Sequence, residues 1–193
     1  AEASLKDAID QSMKGTADPA RRDQVARLEK EFQNFSKIFA DVLRIKQESA
    51  KLTQNQLMRS GNMLRYKLDD LPSNADDSEQ QSIQFGAKIV TDQFQAVTAL
   101  ANTFIVNSDR TIAASALARL KFVDNALGAI LSSNEKIVEG LKEGAALLSE
   151  YKQALTKLIE NSKSIGEQSA RMTESATAIM QGASALKADL VSD

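Results

Sequence analysis

The run LKEGAALLSEYKQALTKLIENSKSIGEQSARMTESATAIMQGASALKADL, residues 141–190, decides the fold. Sevenfold steps from Leu141 meet Leu148, Leu155, Ser162, Ser169, Ala176, Ala183 and Leu190. The interleaved row meets Gly144, Tyr151, Leu158, Ile165, Met172, Ile179 and Leu186. This is coiled-coil periodicity, the pattern of a helix that lays one seam against its neighbours. No Pro interrupts it and no capping signal closes it before Asp193, so a helix of about 60 residues, roughly 90 Å long, is predicted. A rod of that length can carry a mechanical signal between distant places. Its small seam residues Ser162, Ser169, Ala176 and Ala183 suit close approach of a partner helix, as in sliding or dimer contact. The competing reading fills that space with a bulky neighbour, such as a Phe from the preceding long helix.

Upstream, the chain reads as helices separated by turn signals. A short helix runs to about Lys14, where Gly15 stops it, and Asp18 with Pro19 offers an N-cap and a first-turn proline. The helix that starts there carries Val25, Leu28, Phe32, Phe35, Phe39 and Val42 at three-four spacing. It turns polar from Lys46 to Gln56, regains Leu57, Leu64, Leu68 and Leu71, and ends at Pro72. Two stacked modules with a waist near 46–56 and 161–170 would explain the polar stretch; solvated segments of one long bundle would explain it equally. Ser78 with Gln81, and Ser132 with Glu135, have capping-box spacing. Between them lie the rows Ile83, Val90, Phe94, Val97, Ala101, Phe104 and Ala113, Leu117, Leu120, Val123, Leu127, Ile130, separated by a turn or kink at Asn107–Asp109 that Ser108 or Asp109 would cap. No run alternates with strand period. The expected fold is all-α, an elongated antiparallel helical bundle whose two stacked modules share the long helices.

Composition sets the class of function. The 193 residues are 42% apolar and 26% charged with a net charge of −2, which suits a folded domain and carries no nucleic-acid footprint. Cys and His are both absent, which removes thiol chemistry, the common zinc ligand sets and every triad built on an imidazole. The longest uncharged stretch, Gln93 to Ser108, is too short and too polar to span a bilayer. Neither end resembles a signal peptide. The chain opens without Met and closes inside a helical pattern, so a fragment of a longer protein is expected.

Candidate chemistry is sparse. Asp69, Asp70, Asp76, Asp77 and Glu79 cluster around one loop, but they lack the glycine and spacing of an EF-hand, so an exposed polar turn is favoured over a calcium site. No phosphate loop, dinucleotide fingerprint or nucleophile elbow occurs, and no carboxylate pair is singled out, so no enzyme, cofactor or resident metal is expected. Three of the nine arginines are placed unusually. Arg110 opens a helix, Arg119 stands beside the row at Leu117 and Leu120, and Arg171 is next to seam residue Met172. Arg171 and Ser175 are four apart and share a helix face. Together they would offer a small acid one guanidinium fork and one hydroxyl. The alternative is that each arginine pairs with a neighbouring carboxylate.

The stretches VARLEKEFQNFSKIFADV (residues 25–42) and FQAVTALANTFIVNSDRTIAASALARL (residues 94–120), with the small-residue seam of the closing helix, make the chain resemble the helical bimodular sensor domain of bacterial methyl-accepting chemotaxis receptors. The resemblance covers most of the chain and rests on layout more than on a motif. It implies a periplasmic domain of an inner-membrane receptor, attached through segments outside this sequence and pairing as a homodimer. It also implies that a small molecule, best an organic acid, binds between helices and shifts the last helix to signal across the membrane. Arg119, Arg171, Ser175 and Arg110 are the ligand-binding candidates on that basis. A longer first helix in the family could supply a further arginine that this sequence lacks. Two rivals stand beside this expectation: a structural or adaptor coiled coil without a ligand, and a helical pore-forming toxin. The hairpin around Phe94 to Leu131 is too polar to favour the toxin.

Overall fold

A computed structural model describes residues 18–191. Its long elements are α1 (Pro19–Leu52), α2 (Met58–Asp70), α3 (Gln80–Asn107), α4 (Arg110–Gly128) and α5 (Glu135–Val191). A π-helical segment, Thr53–Leu57, joins α1 to α2, and a 3-10 turn, Leu71–Asn74, follows α2. Among the described residues there is no strand, and the fold is an all-α helical bundle. The helix expected before Lys14 and its Gly15 stop lie outside the described residues.

Helix ends follow local chemistry, with two departures from expectation. Asp18 Oδ1 accepts the Ala20 N–H at 3.0 Å and Pro19 takes the first helical position, as its fixed φ favours. Asp109 Oδ1 accepts the Thr111 N–H at 2.8 Å to cap α4, just after Ser108 adopts a left-handed conformation with φ 58°. The Ser78–Gln81 capping box does not form. The residue before α3 is Glu79, which makes no side-chain cap there. Its carboxylate instead accepts from the hydroxyls of Ser132 and Ser133, and these bonds, Ser132 foremost, hold the Glu79 carboxyl below its ordinary range. Ser132 Oγ also accepts the Asn134 N–H at 3.0 Å, in place of the Glu135 N–H of the second expected box. Asn134 caps α5, accepting the Lys136 N–H at 3.0 Å.

The chain divides into two compact units, Gln47–Lys163 and Ala1–Lys46 with Ser164–Asp193. In the first, α2, α3, α4 and the opening turns of α5 surround one apolar core. Leu64, Leu68, Ile83, Val90, Phe94, Val97, Val123, Ile137 and Leu155 are fully buried there. On α4 the inner row is Ala113, Ala116, Leu120, Val123 and Leu127. Leu117, expected in that row, is only half-buried, and Ala116 takes the inward position between Ala113 and Leu120.

In the second unit, α1 lies against the later part of α5. Val25, Ile38, Val42 and Ile45 are buried. The expected Phe stripe is displaced: Leu28, Phe32 and Phe35 are half-buried and Phe39 is 47% exposed. A Cβ on Gly182 would stand 2.8 Å from Leu28 Cδ2, so glycine is what lets that leucine rest on α5. Leu28, rather than a phenylalanine, is the bulky neighbour at this small residue. Polar contacts add to the pairing, with Gln24 Nε2 donating to Asp189 Oδ2 at 2.9 Å.

Candidate functional site

The four arginine and serine candidates do not form one site within either unit. Arg110 and Arg119 belong to Gln47–Lys163, whereas Arg171 and Ser175 belong to the other unit. Arg119 is exposed on the rim of a groove of about 620 Å³ between α3 and α4, beside Ala96, Ala99, Leu100, Ser115 and Phe122. Arg110 is exposed at the first position of α4. Arg171 is exposed and its Nη1 donates to Gln168 Oε1 at 3.3 Å. Ser175 is buried, with its hydroxyl 3.0 Å from the Glu31 carbonyl oxygen and 3.2 Å from the Glu31 carboxylate. The fork and the hydroxyl therefore face different surroundings, although one helical turn separates them. The loop acids are similarly occupied: Asp70 accepts from Asn74 and Asp76 from Asn134, and among the described residues no three metal-ligating side chains converge.

A different arginine has the surroundings of a binding group. Arg65 on α2 is half-buried at a cleft of about 230 Å³ formed with α3 and α5. Leu57, Met58 and Gly61 supply its apolar wall, and Asn62, Thr98, Asn102 and Tyr151 supply polar groups. Arg65 Nη2 donates to Thr98 Oγ1 at 2.8 Å, and that hydroxyl donates in turn to the Gln95 carbonyl at 2.8 Å. The guanidinium carbon stands 6.0 Å from the Phe94 ring centroid. Phe94 meets Tyr151 edge to face at 5.0 Å, so two buried rings fix the floor on which the cation lies. Gly61 makes this possible: a Cβ there would come within 3.2 Å of Tyr151 Cε2.

The electrostatics are one-sided. Arg65 forms no ion pair among the described residues, and its Nε is buried without a hydrogen-bond partner. A buried guanidinium donor left unpaired is costly, and a carboxylate is its natural complement. No acidic residue lines the cleft. Burial pushes the Tyr151 phenol up to about 12, although the Arg65 charge pulls the other way, so the group stays a neutral O–H at physiological pH. The cleft thus offers one fixed cation, one phenol and two side-chain amides around a short apolar wall. These groups are complementary in charge and hydrogen bonding to an anion.

Comparison of the chain with known protein families, curated proteins and solved structures finds no match. The sequence does hold a signal for Arg65. It sits directly after the core leucine Leu64 and one turn beyond Gly61, a glycine inside a helix that requires a packing reason. What the sequence lacks is any local mark that Thr98, 33 residues away, would take one end of the guanidinium and leave Nε unmatched.

Proposed function

We propose that this chain is a ligand-sensing domain whose ligand is a small monocarboxylate held in the Arg65 cleft. The observation that carries the reading is the guanidinium with a buried, unpartnered Nε in a cleft without an acidic residue. One cation supports one carboxylate, and the limited volume with Leu57 and Met58 on one wall favours a short aliphatic body. Tyr151, Asn62 and Asn102 would then complete the polar shell. In the wider proposal the domain is the periplasmic sensor of a bacterial chemotaxis receptor, anchored to the inner membrane through segments beyond this sequence and working as a homodimer. The supporting features are the all-α fold and the seam of α5.

The test is calorimetric titration and thermal shift against acetate, propionate, succinate and citrate. At a hundredfold excess over Kd a ligand adds about 2.7 kcal/mol of stability, enough to move the melting point by several degrees. Acetate or propionate should stabilise the protein, and Arg65→Leu should abolish the response while Arg119→Ala and Arg171→Ala retain it. Silence across the panel would favour a structural or adaptor coiled coil. A response lost in Arg171→Ala but kept in Arg65→Leu would place the ligand in the other unit.

A further inference from the structure

The helical path from α1 to α2 contains one residue more than α geometry accommodates. Ile45, Ser49, Thr53 and Leu57, each buried or half-buried, follow one another at intervals of four. An α-helix repeats every 3.6 residues or so, and three such steps accumulate about one surplus residue. The π turn at Thr53–Leu57 absorbs it: the Met58 N–H bonds the Thr53 carbonyl, five residues back, whereas the Leu71 N–H beyond α2 bonds Lys67, four back. Hydroxyls attend both ends of the widened turn. Thr53 Oγ1 donates to the Ser49 carbonyl at 2.9 Å, and Ser60 Oγ donates to the Gln56 carbonyl at 2.6 Å.

Two features make this turn a movable part. The flanking residues already have ordinary helical dihedrals, with Leu52 at φ −59°, ψ −43° and Met58 at φ −66°, ψ −40°, so conversion needs an exchange of hydrogen-bond acceptors rather than an unfolding step. Gln54, Asn55 and Gln56 are exposed, so the middle of the turn is free of packing and the buried Leu57 at its end is the side chain that must shift with the exchange. Single π turns inside α-helices are rare and recur at functional sites. Here the turn abuts the cleft, because its last residue Leu57 and the following Met58 belong to the same wall as Gly61 and Arg65.

We propose that Thr53–Leu57 is a register switch set by the cleft. A carboxylate drawn onto Arg65 presses its apolar body against Leu57 and Met58, and the turn converts from π to α, with the Met58 N–H passing from the Thr53 to the Gln54 carbonyl. The switch rests on the monocarboxylate reading of the cleft, and it responds to ligand only through the difference in affinity between the two registers.

The acceptor of the Met58 N–H is directly measurable from scalar couplings across the hydrogen bond in isotope-labelled protein, with and without saturating acetate or propionate. Movement of the Met58 correlation from Thr53 to Gln54 is the expected result. Titration of the Arg65 and Thr98 signals with Met58 still on Thr53 would overturn the switch and leave the site standing. No response at Arg65 or Thr98 would overturn both. As a second measurement, deletion of Asn55 closes the turn permanently and should tighten acetate binding at least tenfold, while Asn55→Ala should leave affinity unchanged. Equal affinities in the deletion and the alanine variant would also defeat the switch.

Discussion

The unit Gln47–Lys163 and the unit in which residues 18–46 meet 164–191 draw on the same two long helices, yet they bury side chains very differently. In the first, Leu64, Ile83, Val90, Phe94 and Val97 are all sealed at 0% exposure. In the second, the buried residues are Val25, Ile38, Val42, Ile45 and Ser175, while Phe39, Leu43 and Met180 stay 47%, 44% and 63% exposed. Apolar periodicity is present in both. What differs is the number of neighbours: a helix among three others can hide a broad stripe, whereas a helix facing one other hides only a narrow line of contact. Phe94, Phe104 and Tyr151 are therefore core in the first unit, although Tyr66, Phe85 and Phe122 stay exposed there, whereas Phe32, Phe35 and Phe39 of the second are half-buried or exposed.

Phe94→Ala should cost about 3–5 kcal/mol in urea unfolding, because it removes a sealed ring and leaves a cavity beside Tyr151 and Arg65. Next comes the titration of Tyr151. Its folded pKa, about 12, lies above the ordinary tyrosine value of 10.0, so its contribution is fully present below pH 10 and is lost as the pH rises through 12. The wild type should lose roughly 2 kcal/mol against Tyr151→Phe over that window, followed as urea midpoints. Ser175→Ala should cost about 1 kcal/mol, the worth of a hydrogen bond to the Glu31 carbonyl, without changing the response to carboxylates. Phe39→Ala should shift the midpoint by no more than about 0.5 kcal/mol. A loss at Phe39 as large as that at Phe94 would mean that this face is covered in solution, and the contrast between the units would fail.

The fold was legible to the extent that it is local. Asp18 with Pro19, and Asp109 before α4, act within three residues, so reading them in order suffices. The rows on α3 and α4 follow from three-four spacing, with the single exchange of Leu117 for Ala116. Failures came where a distant group competes for a local one. Ser132 has the spacing of a cap, yet its Oγ accepts the Asn134 N–H while donating to Glu79, and Asn134 caps the helix instead. The Phe stripe of α1 is periodic, yet it is Leu28 that rests on Gly182 of α5, and Val25, Ile38, Val42 and Ile45 take the buried positions. The candidate site shows the same division. Choosing among arginines by their sequence neighbours selected Arg110, Arg119 and Arg171, which are exposed, and passed over Arg65, whose significance lies in Thr98, Phe94 and Tyr151 on other helices.

Residue identity and spacing within a few turns fix the helical character of most of the described length, the places where most helices start and stop, and the absence of imidazole and thiol side chains. Only the tertiary structure decided which face of α1 is inside, that the path into α2 passes through a π turn, and that Arg65 lies in a cleft with a buried nitrogen unmatched. Those outcomes depend on which side chains from remote segments compete for the same space and the same hydrogen bonds, and spacing along one helix does not encode that competition.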